Sequence, residues 1–435
     1  MTAPSGTGLR RELGLGRVTA SGVGIIIGAG IYVLVGPATA KAGSAVWLAF
    51  LVAGLLSALT ALSYAELASM YPSAGAEFEY ARQVWPAWAA FLVGWVMVAG
   101  LIVAGAAVAL GFATYLQHFA AVPLRVGALG LLALVGAVAL RGIRRSSTLT
   151  VALSLIQIGG LLLVVAIGVP HLGDQPLLQG ASAGGVISGA ALVFFAFIGF
   201  DEVITLSDET RDPTRVVPRA LLLALAISTF LYVAVAIAAV SVLGPAPLAG
   251  ASQPMAEVME TALGAPSADL VAAIALVATL NTTLLLVTAA SRLQFGMAEH
   301  GALPPVLART SRAGVPWVGV CVALAGGALG VVIGHIDVVA SVTDFAVYLV
   351  FLAVNAIVII LRLRAPDLPR GVRVPWTVGR VPVLPILAIA VVVVVLPGIE
   401  PAAAVLGGGL VLLGLAVHAV LVRRRPAGDP IEVAA

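Results

Sequence analysis

The sequence predicts an all-α polytopic membrane protein of about 12 transmembrane helices. Three observations carry that expectation: an apolar composition, apolar windows of spanning length, and basic residues confined to alternate connections. Of 435 residues, 61% are hydrophobic and 10% charged, and mean hydropathy is +1.13. Soluble domains carry about 25% charged residues, so lipid must solvate much of this surface.

A spanning helix needs about 20 mostly apolar residues. Windows of that kind lie near residues 18–38, 44–69, 85–117, 122–140, 148–169, 184–207, 217–243, 267–296, 315–334, 338–362, 382–397 and 402–421. Short polar or Pro/Gly-containing segments separate them. Basic residues then assign the sides, because Lys and Arg accumulate in cytoplasmic connections. With the N-terminus inside, 21 of the 23 basic residues fall on the inner side, leaving Lys41 and Arg125 outside. Both termini are therefore expected in the cytoplasm, in the inner membrane of a bacterium, a source suggested by the scarcity of lysine beside arginine. Arg10, Arg11, Arg17 and the apolar run after them imitate a cleavable signal peptide. Gly22, Gly24, Gly28 and Gly30 stud that run, however, and its removal would invert the charge bias.

Glycine interrupts two of the windows at matching depth. The first contains Ile27-Gly28-Ala29-Gly30-Ile31 and the sixth Phe195-Ala196-Phe197-Ile198-Gly199. Glycine weakens a helix interior by about 1 kcal/mol relative to alanine, and the two windows lie five helices apart. Corresponding interrupted segments in two halves point to a binding site near the bilayer midplane. N–H groups freed at Gly28, Ala29 and Gly30 suit a carboxylate, and carbonyls freed around Phe195 to Ile198 suit an ammonium group. The alternative is tight packing, as Gly24-x-x-x-Gly28 would permit. Asp201 and Glu202 are intramembrane carboxylates, hence candidates for a gating or proton-linked role; capping of unwound backbone is the other reading. Asp344, nearer the end of its window, reads as hydrated and structural.

These segments, with Ser63-Tyr64-Ala65-Glu66-Leu67-Ala68, Tyr71-Pro72-Ser73-Ala74-Gly75, Asp208-Glu209-Thr210-Arg211-Asp212-Pro213, Ala290-Ser291-Arg292-Leu293 and Gly301-Ala302-Leu303-Pro304, give a sequence that resembles the amino acid–polyamine–organocation superfamily along nearly its whole length. The resemblance implies a five-plus-five inverted repeat with discontinuous first and sixth helices. On that plan residues 1–17 form the N-terminus, 18–169 the first repeat, 184–362 the second, 382–421 two further helices and 422–435 the tail. It implies a secondary transporter for an amino acid or related small amine, working by alternating access. Ile27 to Ile31 would bind the substrate carboxylate and the Ile198 carbonyl its amine, with Phe195 as the aromatic gate and Asp201 at a position linked to proton-dependent gating. Proton-coupled relatives carry a helix-five lysine where this chain has Gln157, an amide that does not titrate. Coupling to H+ or Na+ therefore stays open. Helix three also lacks an acidic residue near Gly100, which disfavours a cationic side-chain pocket there.

Other function classes are weaker. The one cysteine, Cys321, excludes disulfides and cysteine-ligated metal, and His118, His171, His300, His335 and His418 show no ligand spacing. No metal, cofactor or nucleic-acid partner is expected. Gly180-Ala181-Ser182-Ala183-Gly184 matches a hydrolase nucleophile pattern, but among small residues introducing a helix it predicts no enzyme. A transport-dead amino-acid sensor or a channel-like protein remains the alternative. Gly326, Gly330 and Gly334 suggest a packing seam, within the chain or with a partner.

Overall fold

The computed structural model describes residues 13–71, 76–141, 146–201, 203–204, 210–311, 313–333 and 336–423. Helices occupy every window expected from hydropathy. The first span is two pieces, α1a Leu15–Ile26 and α1b Gly30–Ala42. There follow α2 Val46–Met70, α3 Ala87–Leu116, α4 Leu124–Leu140, α5 Ser146–Gly168, α6 Ala183–Val193 and α7 Pro213–Leu243. The chain continues with α8 Ala265–Glu299, α9 Trp317–Ile333, α10 Ile336–Arg364, α11 Val383–Val395 and α12 Pro401–Arg423. Strand structure among the described residues is one hairpin, Thr377–Val378 against Val381–Pro382.

Local sequence sets the boundaries. Pro86, Pro123 and Pro382 stand at the N-caps of α3, α4 and α11, and Pro213 opens α7, where a missing N–H costs nothing. Gly244 ends α7 at φ 76°, a conformation that other residues adopt only with strain.

In the bundle α3 packs along α8 and α10, α2 along α7, and α1a along α7 and α5. Large apolar side chains left uncovered, among them Leu155 on α5, Phe230 on α7 and Leu412 on α12, are the surface the bilayer solvates. The glycine seam of α9 closes within the chain. A Cβ on Gly326 would stand 2.6 Å from Ile102 Cγ2, and one on Gly330 2.8 Å from Ala106 Cβ, both on α3; Gly334 lies outside the described residues.

Helix ends gather in two sets. At one end His118 Nε2 meets Asp269 Oδ1 at 2.7 Å, and Gln253 donates to the Thr114 carbonyl at 2.9 Å. A Cβ on Gly185 would run into the Lys41 carbonyl there. At the other, the segment before α1a pairs in parallel with the one before α7, Leu13 with Thr210, and Arg364 donates to the Val84 carbonyl at 3.4 Å.

Candidate functional site

Helix one breaks at Ile27, whose φ −74° and ψ 83° leave the helical range. Helix six runs from Val193 into a 3₁₀ turn, Phe194–Phe197, then extends at Ile198 (φ −60°, ψ 135°) and turns at Gly199 with φ 110°. The two breaks lie against each other. A Cβ on Gly30 would stand 2.5 Å from the Ala196 Cα, and one on Gly199 3.3 Å from Ile25 Cγ2. Glycine at these two positions therefore serves close backbone approach as well as interruption, so the packing and binding readings of the motif coexist.

Broken backbone must find new partners inside a membrane, and neighbouring helices supply them. The Tyr232 hydroxyl of α7 lies 2.8 Å from the Ile26 carbonyl and 2.9 Å from that of Ala196, so one proton serves both breaks. The N–H of Gly28 donates to the Ile26 carbonyl at 2.8 Å, and that of Ala29 to Thr282 Oγ1 of α8 at 3.2 Å. Gly30 and Ile31 begin α1b, where first-turn N–H groups have no carbonyl one turn back. Tyr115 of α3 donates to the Tyr32 carbonyl at 2.7 Å, and Tyr32 donates to the Gln157 backbone carbonyl at 2.9 Å.

Phe195 borders a small apolar cavity with Ala29, Val33, Ala107, Val108 and Ala340, contributed by helices one, three, six and ten. Ile27, Ala29, Ile31, Phe195, Ala196 and Phe197 are all buried and Ile198 is half-buried. Residues that sequence reasoning placed at one site are thus brought to one place. Gln157 is not at that place: it is buried on α5 behind Tyr32, and among the described residues neither its Oε1 nor its Nε2 has a partner. Asp201 lies toward the arginine-rich end, beside the backbone N–H of Gly199 and its own, as a capping carboxylate would. Glu202 lies outside the described residues. Ser182 is a helix cap, its Oγ accepting from the Gly185 N–H at 3.0 Å at an unstrained φ of −126°.

Three acidic groups carry more structure than the sequence suggested. Glu66 of α2 is buried and takes a two-pronged contact from Arg362 of α10, at 2.7 Å to each oxygen. Arg370 Nε adds a bond to Oε1 at 3.0 Å and the Val374 N–H one to Oε2 at 2.8 Å. Glu77, on the short helix Ala76–Arg82, accepts from the Tyr64 hydroxyl at 3.0 Å. Burial, and after it the charge of Asp201, push the Glu77 carboxyl up to about 7. Asp344, read from sequence as hydrated, is instead fully buried, and among the described residues neither of its oxygens has a partner. Depth along the helix misled: neighbouring elements cover the outer turns of α10.

The family model described as amino acid permease matches residues 13–415. The chain belongs to the amino acid permease family. The branched-chain amino acid permease BcaP of Bacillus subtilis is 31% identical over 411 residues, 88% of this chain and 86% of that one. The methylthioribose transporter of the same organism is 29% identical, covering 87% and 86%. The human cationic amino acid transporter 4 is 35% identical over 261 residues, 53% of this chain and 40% of its own. The permease is accordingly a multi-pass membrane transporter of the amino acid–polyamine–organocation superfamily, as its broken helices implied.

Proposed function

We propose that this permease carries an α-amino acid or a related small amine, held between the two broken helices. The support is the meeting of the breaks in helices one and six, with Tyr232 bonded to both. In this closed arrangement Thr282 Oγ1 occupies the Ala29 N–H, so an incoming carboxylate would take over from that hydroxyl. The first-turn N–H groups of Gly30 and Ile31 complete the carboxylate pole. Carbonyls of the extended Phe197–Ile198 stretch face no competing donor from Tyr232 and form the amine pole. Phe195, at the edge of the cavity, is the gate. Asp201 and Glu202 belong to the gating machinery at the inner end of helix six, and Gln157 stands where proton-coupled relatives carry lysine.

Residues 18–169 and 184–362 act as two five-helix repeats rocking about this site, with 382–421 outside them; 1–17 and 422–435 are the cytoplasmic ends. The arginine-rich end faces the cytoplasm of a bacterium, by the positive-inside bias.

Gly30→Ala tests the site. Its Cβ collides with the Ala196 backbone, so helix six must move. Displacements on the order of 1 Å at a positioning element cost up to about 100-fold in rate, so uptake of labelled amino acids into proteoliposomes should fall at least about tenfold. Gly130→Ala, where a Cβ meets nothing within 4 Å, should leave uptake unchanged. Wild-type uptake in Gly30→Ala would remove the broken helices from the site.

A further inference from the structure

One stripe of α10 faces the broken helices along its length. Ile336 and Ala340 line the cavity with Ala29 and Phe195. Tyr348 packs its ring 4.6 Å from that of Phe194 and directs its hydroxyl to the Ala191 carbonyl at 3.4 Å. Phe351 meets Phe194 and Phe200, each at 5.3 Å. Asp344 is on this stripe, one turn after Ala340 and one before Tyr348, whose side chain leans back over it. It is wholly buried there, and among the described residues neither oxygen has a partner.

Among the described residues no cationic side chain is bonded to Asp344. Helix six offers no titratable side chain between Ala183 and Phe200, and α11 offers none. On α3 the only such group is Tyr115, given to the Tyr32 carbonyl. On α2 Tyr64 is bonded to Glu77, and Glu66 to Arg362 and Arg370. The short helix Ala76–Arg82 brings Glu77, Glu79, Tyr80 and Arg82, all at the inner end. On α12 His418 packs its ring against Phe91 and Arg423 closes the helix, also at that end. On α10 itself Asp337 is in the first turn and Arg362 and Arg364 in the last. An alkali or divalent cation asks for a shell of oxygens. Ala340, Tyr348 and Phe194 do not offer one, and the described residues hold no cluster of three metal-ligating side chains. A carboxylate left alone in such surroundings neutralises itself by taking up a proton.

We propose that Asp344 is a proton-binding site on helix ten that couples proton uptake to closure of helix six. When Phe194 and Phe195 close against the stripe, water leaves and the carboxyl accepts a proton from solution. When the contact opens, water returns and the proton departs. The proposal rests on the alternating-access reading for its consequence, though not for the proton itself. It also gives a chain with Gln157 in place of lysine a titrating group of its own.

Infrared difference spectra of the purified full-length protein test the proton without any substrate. In a Glu77→Gln background, which removes a second carboxyl raised toward neutrality, the protein at neutral pH should show a protonated-carboxyl C=O band that is lost on adding Asp344→Asn or Asp344→Leu. If either variant folds, judged by monodisperse elution, it decides; should neither fold, the band of the Glu77→Gln protein and its shift in D2O are read instead. A spectrum with no such band, or one that both variants keep, overturns the assignment. In proteoliposomes with leucine as probe, an inward acid gradient should stimulate wild-type uptake, and the stimulation should be lost in Asp344→Asn. Stimulation that survives the substitution overturns the coupling. Absence of leucine uptake in the wild type would count against the transport reading for that substrate, while the infrared band still judges Asp344.

Discussion

Glu77 lies close to the arginine-rich face yet is almost wholly buried, and its carboxylate accepts a hydrogen bond from Tyr64. Burial and the neighbouring Asp201 charge raise its carboxyl from an ordinary 4.5 to about 7. Between those values the folded protein holds a proton that the unfolded chain has released, so stability falls as pH rises. Its contribution is fully present below about 4.5 and lost as pH passes about 7. Glu77→Gln keeps an acceptor for Tyr64 and removes the titration. The melting midpoint of purified protein should therefore decline less across that window in Glu77→Gln than in the wild type. Equal slopes would show that Glu77 stays ionised throughout. The residue is illegible in the sequence for a plain reason: a glutamate between Ala76 and Phe78 reads as a solvated charge until Tyr64 and Tyr80 are folded beside it. Gln157 is the converse. Its identity was read directly, while its isolation behind Tyr32 depends on three helices that no spacing relates.

At the scale of elements, helices two and ten are joined by a polar seam running toward the arginine-rich end. Ser63 donates to Asn355 Oδ1 at 2.6 Å, and Asn355 Nδ2 donates to Thr60 Oγ1 at 3.1 Å. One turn further along α2, and two along α10, Glu66 holds Arg362 and Arg370. Arg370 also donates to the Leu361 carbonyl in the last turn of α10 and to the Ala365, Pro366 and Leu368 carbonyls just beyond it. Hydrogen bonds between membrane helices average about 0.6 kcal/mol, so the Ser63–Asn355 rung fixes register more than stability. The ion cluster is different, because removing one partner strands buried charge at a cost of about 3–5 kcal/mol. Glu66→Ala should lower the thermal midpoint clearly, whereas Ser63→Ala should lower it little. Comparable losses would mean that water screens the cluster. The breaks in helices one and six were legible because glycine and its flanking apolar run advertise them locally. The Glu66 cluster was not, since its partners lie 296 and 304 residues away along the chain and nothing near Glu66 specifies them.

For the whole molecule, the sorting of helix ends into two sets and the sorting of charge coincide. Lys41 and Arg125 sit at the end that carries the His118–Asp269 contact, with the ends of α1b and α3 and the starts of α4, α6 and α8. Arg82, Arg362, Arg364, Arg370 and Arg373 sit at the other, with the Glu66 cluster and the Leu13–Thr210 bridge. An odd number of missed or surplus spans anywhere in the chain would have mixed the two sets, because every later helix end would change sides. The coincidence therefore supports the helix assignment and the charge bias together, and makes the orientation testable with few probes. Cys321, the only cysteine, is exposed on α9, and replacing it by alanine gives a background without thiols. In that background Arg125→Cys should be labelled by a membrane-impermeant maleimide added to intact cells. Arg373→Cys, exposed in the connection after α10, should be labelled only after the membrane is opened. Labelling of Arg373→Cys from outside, with Arg125→Cys protected, would turn the molecule over and place its arginines against the positive-inside bias.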